Sequence, residues 1–309
     1  MSRSKDLPWY QSKLGSSLTP AGRALLETYS GIPSSEVEAH IYKNVNNFTV
    51  FHYAPADTDK YQRDSAWEIF PWPCVGSFWF MALGLSLHPH YNALLTRLRT
   101  QDPPTKFLDL GTCFGQDLRK LIADGAPPQA LWGSDYFSEY EAAGHELLCD
   151  AERFQNRFIT ADLFDESPDG GLVRTAGTWG VINIIMFLHI FDWDTQVCAC
   201  RRILKLLSRA KGSMVIGITT GSTEAGDLVL RPPSVAEGEE RTIYRHNLDT
   251  FTKMWEEVGR DEGLDLEIEV VYDDQADRER RAKEAQEEGK HRVFSGSTQR
   301  RLFFTVTIV

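Results

Sequence analysis

The chain has 309 residues, 42% of them hydrophobic and 25% charged, with a formal net charge of -11 at pH 7. Such a length and composition bury a sizeable core, as one large domain or two small ones. The acidic balance speaks against a nucleic-acid partner, because phosphate binding needs clustered Lys and Arg.

Residues 1–104 are rich in aromatics and prolines and poor in strand-like runs. "LTPAGRALLETYSG" reads as a helix, with Thr19 able to cap it, Pro20 in its first turn and Gly31 just past its end. "PSSEVEAHIYKNVNNF" reads as a second helix, and Tyr91 to Thr100 as another. Between these two lies a segment dense in Trp, Phe and Pro. From Lys106 onward strands and helices alternate. "KFLDL", "ALWGSD", "RFITADLF", the apolar "WGVINIIMFLHIF" and "GSMVIGITTG" are read as strands, with a helix after the first, second and fourth. "NLDTFTKMWEEVGRDEG" is a helix with Asn247 as its cap, followed by the strands "LEIEVVYDD" and "RRLFFTVTIV". That alternation predicts an α/β fold with a largely parallel sheet covered on both faces. Residues 220–246 read as a long loop or lid, and the mixed-charge run 275–291 as a solvated excursion.

Five cysteines, at 74, 113, 149, 198 and 200, form no CxxC pair and have no His at zinc-ligand spacing. Reduced thiols and no metal site are expected. The N-terminal stretch has no apolar signal core. The apolar run 181–191 is broken by Asn183 and His189 and is too short to span a bilayer. A cytoplasmic protein without a membrane anchor is expected.

The chemistry concentrates at Asp109-x-Gly111-Thr112-Cys113-x-Gly115, between a strand and a helix. Two glycines four apart let the backbone turn sharply and approach a ligand at a helix N-terminus. A dinucleotide fingerprint needs G-x-G-x-x-G to seat a pyrophosphate. The looser spacing here suits a cofactor with an amino-acid moiety and no phosphate, which S-adenosylmethionine (SAM) satisfies. Asp109 is placed to orient the loop or meet an ammonium group. Asp135, 20 residues beyond Gly115, ends the second strand where an acid takes ribose hydroxyls, and Tyr136 follows it. Asp162, Leu163 and Phe164 after the third strand suit an adenine. Ile185 and Met186 end the fourth strand, where ligands of open α/β sheets sit.

On these residues the segment from Lys106 to Val309 resembles the class I SAM-dependent methyltransferase superfamily. More narrowly, "LPWYQSKL", "LLETYSGIPSSEVEAHIY", "RDSAWEIFPWPCVGSFWF", "FLDLGTCFGQDLRKLIADGAP" and "LWGSDYF" resemble the fungal methyltransferases of meroterpenoid and related natural-product clusters. The resemblance implies a Rossmann-like domain over residues 105–309, with a mostly parallel seven-stranded sheet, an antiparallel C-terminal edge strand and helices on both faces. Residues 1–104 would form a helical, aromatic cap. It also implies methylation of a carboxylate, or a hydroxyl, on a hydrophobic meroterpenoid- or polyketide-type acid or phenol. An isomerase or pericyclase using SAM without net methyl transfer is the alternative.

A carboxylate acceptor is already ionised near neutral pH and needs no base, whereas a phenol or alcohol does. His189, just past the fourth strand, is the candidate base. Trp67, Phe70 and Trp72 are candidates for an apolar lid, Tyr244 and His246 for pocket residues, and Arg231 and Arg63 for pairing with a substrate carboxylate. A homodimer through the aromatic N-terminal region is one alternative for the quaternary state.

Overall fold

The computed structural model describes residues 7, 9–11, 13–46, 65–273 and 298–309. Arg63 and the charged run 275–291 lie outside the described residues. The strands are β1 (Phe107–Leu110), β2 (Leu131–Asp135), β3 (Phe158–Thr160), β4 (Val181–Ile185), β5 (Met214–Ser222), β6 (Gly226–Leu230), β7 (Arg241–Arg245), β8 (Leu266–Tyr272) and β9 (Gln299–Ile308). The α-helices are α1 (Pro20–Ala24), α2 (Val37–Asn46), α3 (Ser65–Ile69), α4 (Pro73–Gly76), α5 (Tyr91–Thr100), α6 (Gln116–Ala123), α7 (Glu139–Leu148), α8 (Trp193–Leu206) and α9 (Leu248–Asp261).

Seven strands form one sheet in the order β3-β2-β1-β4-β5-β9-β8. The first five pair in parallel and β9 runs antiparallel to both its neighbours. The antiparallel C-terminal strand therefore stands one place in from the margin, with β8 outermost. The strand order reverses direction between β1 and β4, so the carboxyl ends of β1 and β4 flank the crevice where open α/β sheets bind ligands.

Alternate residues explain the layers, because successive strand side chains point to opposite faces. Leu108, Ile182 and Val215 join Cys200, Ile203, Met254 and Trp255 of α8 and α9 in one core. Their neighbours Phe107, Val181 and Ile216 join Leu94, Leu98, Leu118 and Leu121 of α5 and α6 on the other face. Each such Leu or Phe contributes about 1.5–3 kcal/mol by leaving water. A third core holds the N-terminal segments: Trp9, Leu26, Ile41, Trp67 and Met81 pack on Phe114 and on Tyr140 and Leu147 of α7.

Both expected caps form. Thr19 Oγ1 accepts from Gly22 N at 3.0 Å, and Asn247 makes a capping box with Thr250. Beyond α1 the helix widens into a π-turn over Leu25–Tyr29. Residues 220–246, read as an open loop, instead contain the antiparallel hairpin β6–β7, paired from Gly226↔Arg245 to Leu230↔Arg241. In β7 Ile243 is buried while its neighbour Thr242 is exposed, whereas the central residues of β6 are all exposed. Among the described residues no helix is long and apolar enough to cross a membrane, and no cluster of His, Cys, Asp or Glu could hold a metal ion.

Candidate functional site

The loop after β1 is clamped onto the end of β2. Gly111 N and Thr112 N both donate to Ser134 O, at 2.8 and 3.0 Å. Gly111 and Gly115 take φ of +75° and +64°, and Cys113 between them takes +52°. A Cβ on Gly111 would stand 3.0 Å from the Phe187 ring, and one on Gly115 would strike Arg119 Nη1 at 2.3 Å. Glycine is favoured at both positions by φ, and at 115 a Cβ would also displace Arg119, which is held by Asp150. Left-handed Cys113 and Met186 (φ +53°) store backbone strain at the mouths of β1 and β4.

Two carboxylates hold this loop, and a third stands beside it. Asp109 accepts from Thr112 Oγ1 at 2.6 Å and from Asn183 Nδ2 at 2.7 Å. It ties the loop to β4, which supports the orienting role over a direct ammonium contact. Asp135 accepts from Cys113 N at 2.9 Å and Phe137 N at 3.2 Å. Each of its oxygens keeps a second acceptor site for a ligand hydroxyl. Asp117, in the first turn of α6, accepts from Leu85 N at 3.0 Å and anchors the segment before α5.

Burial pushes Asp109 up to about 6 and Asp117 up to about 7, with the other's negative charge adding to the effect on Asp117. Asp135 is raised as well, for the same reason. Among the described residues no Lys, Arg or His pairs with any of the three. The site is thus desolvated, acidic and without a protein cation.

The remaining cofactor candidates line the adjoining strand ends. Tyr136 is 64% exposed beside Asp135, with Phe137 edge-on to it at 5.1 Å. Asp162 is exposed and accepts from Phe164 N at 2.9 Å in a local turn. Leu163 is buried, and Phe164 meets Phe191 at 5.5 Å. Ile185 lies against Gly84, 3.1 Å from where its Cβ would be. Met186 N donates to Ile218 O, pinning the turn after β4 to β5.

The substrate candidates divide. Phe70 and Trp72 stack at 4.3 Å, and Phe70 reaches Phe137 at 5.5 Å, next to Asp135. Trp67 does not line that opening: it is 1% exposed and packs against Tyr10 at 5.1 Å. Arg231 is a correction. It sits at the hairpin tip and pairs with Glu240 at 2.7 Å, where both are exposed. Tyr244 and His246 stack around Trp193 at 4.8 and 5.2 Å. His246 is buried against Phe251 with Nδ1 on Thr250 Oγ1, so it supports the wall more than it faces a ligand. Burial lowers its imidazole to about 4.

His189 follows β4 in a short 3-10 turn. Burial, with the Arg245 charge beside it, holds the imidazole well below its usual range. It is neutral at physiological pH, and its Nδ1 has no hydrogen-bond partner among the described residues.

Residues 9–55 match the family described as "Meroterpenoid methyltransferase N-terminal domain". The chain is 35% identical to the O-methyltransferase atr3 of Stereocaulon alpinum over 86% of its own length and 69% of that protein's. It is 33% identical to the asnovolin E/chermesin D methyltransferase nvfJ of Aspergillus novofumigatus, over 80% of this chain and 79% of that one. The chain belongs to this family of fungal methyltransferases. Among solved structures, a SAM-dependent methyltransferase of Methanosarcina mazei is similar at 11% identity and a TM-score of 0.47, over 71% of this chain and 98% of that one.

Several side chains that shape the site of this methyltransferase escaped the sequence reading. Asn183 lies inside the run read as a fully apolar strand, and is fully buried against Asp109. A lone amide in an otherwise apolar strand beside an acidic loop was the available signal. Asp117 closes the glycine motif itself. Phe187 fills the space beside Gly111, and Arg245 adjoins the candidate base.

Proposed function

We propose that this methyltransferase takes SAM as its cofactor and methylates the carboxylate of a hydrophobic meroterpenoid- or polyketide-type intermediate. The cofactor half rests on one observation: three desolvated carboxylates surround the glycine loop with no protein cation to offset them. Uncompensated buried charge is costly. A ligand carrying sulfonium and ammonium charge relieves it, whereas a pyrophosphate would add like charge. Asp135 would hold the ribose, Tyr136 with Asp162, Leu163 and Phe164 the adenine, and Gly111, Thr112, Cys113 and Gly115 the amino-acid end, with Asp109 fixing their loop. Ile185 and Met186 would close the β4 side. When bound, SAM supplies an electrophilic methyl on a good, neutral leaving group.

The acceptor half rests on the aromatic wall of Phe164, Phe187, Phe191, Trp193 and Tyr244, which suits a bulky apolar molecule. The residues up to 104 serve as a cap, presenting Phe70 and Trp72 near Asp135, and 105–309 form the cofactor domain. A carboxylate acceptor needs no base, and His189 would take a proton only from a hydroxyl.

The test is to saturate the protein with SAM and incubate it with prenylated aromatic and terpenoid acids. A product heavier by one methylene, with release of S-adenosylhomocysteine, is expected. A product of unchanged mass from SAM-bound protein would refute methyl transfer.

A further inference from the structure

Among the described residues, buried charges of opposite sign stand at the carboxyl ends of the strands. Asp109, Asp117 and Asp135 make the β1–β2 side negative. At the β4–β5 side stands Arg245, the last residue of β7. Its Nη1 donates to His189 O at 2.5 Å. The adjoining backbone bonds, Tyr244 N to Phe191 O and Ser222 N to His246 O, lay the end of β7 across the mouths of β4 and β5.

This guanidinium is substantially desolvated, and burial lowers it to about 10. Among the described residues no carboxylate pairs with it. The other deeply buried arginine of the α6–α7 region, Arg119, is saturated by Asp150 at 2.7 Å. Arg97 also lacks an acid, but it is bonded to Gly212 O, before the amino end of β5 and away from the site.

Arg245 is half-buried, and among the described residues its guanidinium has no hydrogen-bond partner besides His189 O. Directly across the hairpin stands Gly226, where a Cβ would meet nothing within 4 Å. The position paired with Arg245 across the hairpin therefore carries no side chain to place against it. A half-buried fork of donors, with a neutral imidazole beside it and aromatic rings around, is chemically a receptor for a planar anion on an apolar body.

We propose that Arg245 is the residue that pairs with the acceptor's carboxylate and confers preference for acids over their neutral analogues. The inference rests on the methyltransferase reading above and deepens it. It puts the anionic acceptor on the positive side of the mouth and the cationic cofactor on the negative side. Of the two arginines expected from sequence for this task, Arg231 pairs with Glu240 at the hairpin tip and Arg63 lies outside the described residues.

The experiment measures calorimetric binding of para-hexylbenzoate and of its primary amide to protein saturated with S-adenosylhomocysteine. Wild-type protein, Arg245→Gln and Arg245→Lys are compared. The wild type is expected to prefer the acid. Arg245→Gln should lose acid affinity by about ten- to a hundredfold, with affinity for the amide and for S-adenosylhomocysteine unchanged. Arg245→Lys should recover part of the loss, as a point charge without the fork. Equal weakening toward acid and amide would show that Arg245 only props His189 O, and would overturn the proposal. So would a wild-type protein that binds S-adenosylhomocysteine but does not discriminate acid from amide. A wild-type protein that fails to bind S-adenosylhomocysteine would instead strike the cofactor assignment on which the proposal rests.

Discussion

Replacing Asp117 by Asn should stabilise the ligand-free protein while weakening it as a cofactor binder. Asp117 is 3% exposed, and its folded pKa rises from 3.8 to about 7 through burial and the Asp109 charge. The folded state therefore holds its proton between those values while the unfolded chain has released it. Stability consequently falls as pH rises through that window, because the native state binds more protons. A shift of about three units at ~1.36 kcal/mol each costs the native state about 4 kcal/mol at about pH 8, and only about 1 kcal/mol at about pH 4.5. Asparagine removes that cost. Its oxygen can keep the bond from Leu85 N, and a turn of the Gln116 amide, which now donates Nε2 to Asp117 Oδ2 at 3.3 Å, lets the new amide donate to Gln116 Oε1, which is buried without a partner. Thermal melts of the ligand-free variant should show a Tm raised by about 5–10 °C near pH 8, with the gain shrinking toward pH 4.5. SAM affinity should fall, since one negative charge of the site is gone. A gain that is independent of pH, or a loss of stability larger at pH 8 than at pH 4.5, would refute the uncompensated-charge argument.

Asp135→Ala should cost about a hundredfold in SAM affinity. It also strands the donors Cys113 N and Phe137 N, so a stability loss of about 1–3 kcal/mol should accompany it in denaturant titration. Asp150→Asn breaks the buried clamp of Asp150 with Arg119, Tyr29 and His145 and should destabilise by about 3–5 kcal/mol. The clamp holds the Asp150 carboxyl well below the usual carboxylate range. Its contribution is therefore full above about pH 4 and fades as pH falls, so variant and wild type should converge in acid. His189→Gln should leave turnover of a carboxylate acceptor nearly unchanged and slow a phenolic one by about a hundredfold or more, measured as S-adenosylhomocysteine release. Because burial keeps His189 neutral, the carboxylate rate should show no histidine limb near neutral pH.

The sheet was legible because its signals are local. Short apolar runs at 107–110 and 181–185 end in turns, and Asn247 announces α9. The glycine loop was legible because two of its three φ > 0 positions, 111 and 115, carry glycine, the residue that adopts that conformation without strain. What the sequence concealed depends on which way a side chain points once the chain is folded. Trp67 and Trp72 stand five residues apart in one aromatic segment, yet the first fills the core and the second is half-buried against Phe70 at its edge. Arg231 and Arg245 both follow β5, and only the registry of the hairpin shows that one reaches Glu240 and the other the mouth of β4. The hairpin itself was hidden by its Pro- and Gly-bearing connection, residues 231–240, which reads as loop. Asn183 stood out as a break in its apolar run, but its partner Asp109 is distant in sequence and meets it only once β1 and β4 pair.

Desolvated carboxylates without a protein cation would make this protein a receptor for a cationic nucleoside cofactor. Calorimetric titration of the ligand-free protein with SAM and, separately, with NAD is the decisive measurement. Saturable one-to-one SAM binding that strengthens as pH rises through the range where Asp109 and Asp117 ionise is expected, with no NAD binding. Binding of NAD in preference to SAM, or SAM affinity that is flat across that range, would contradict it.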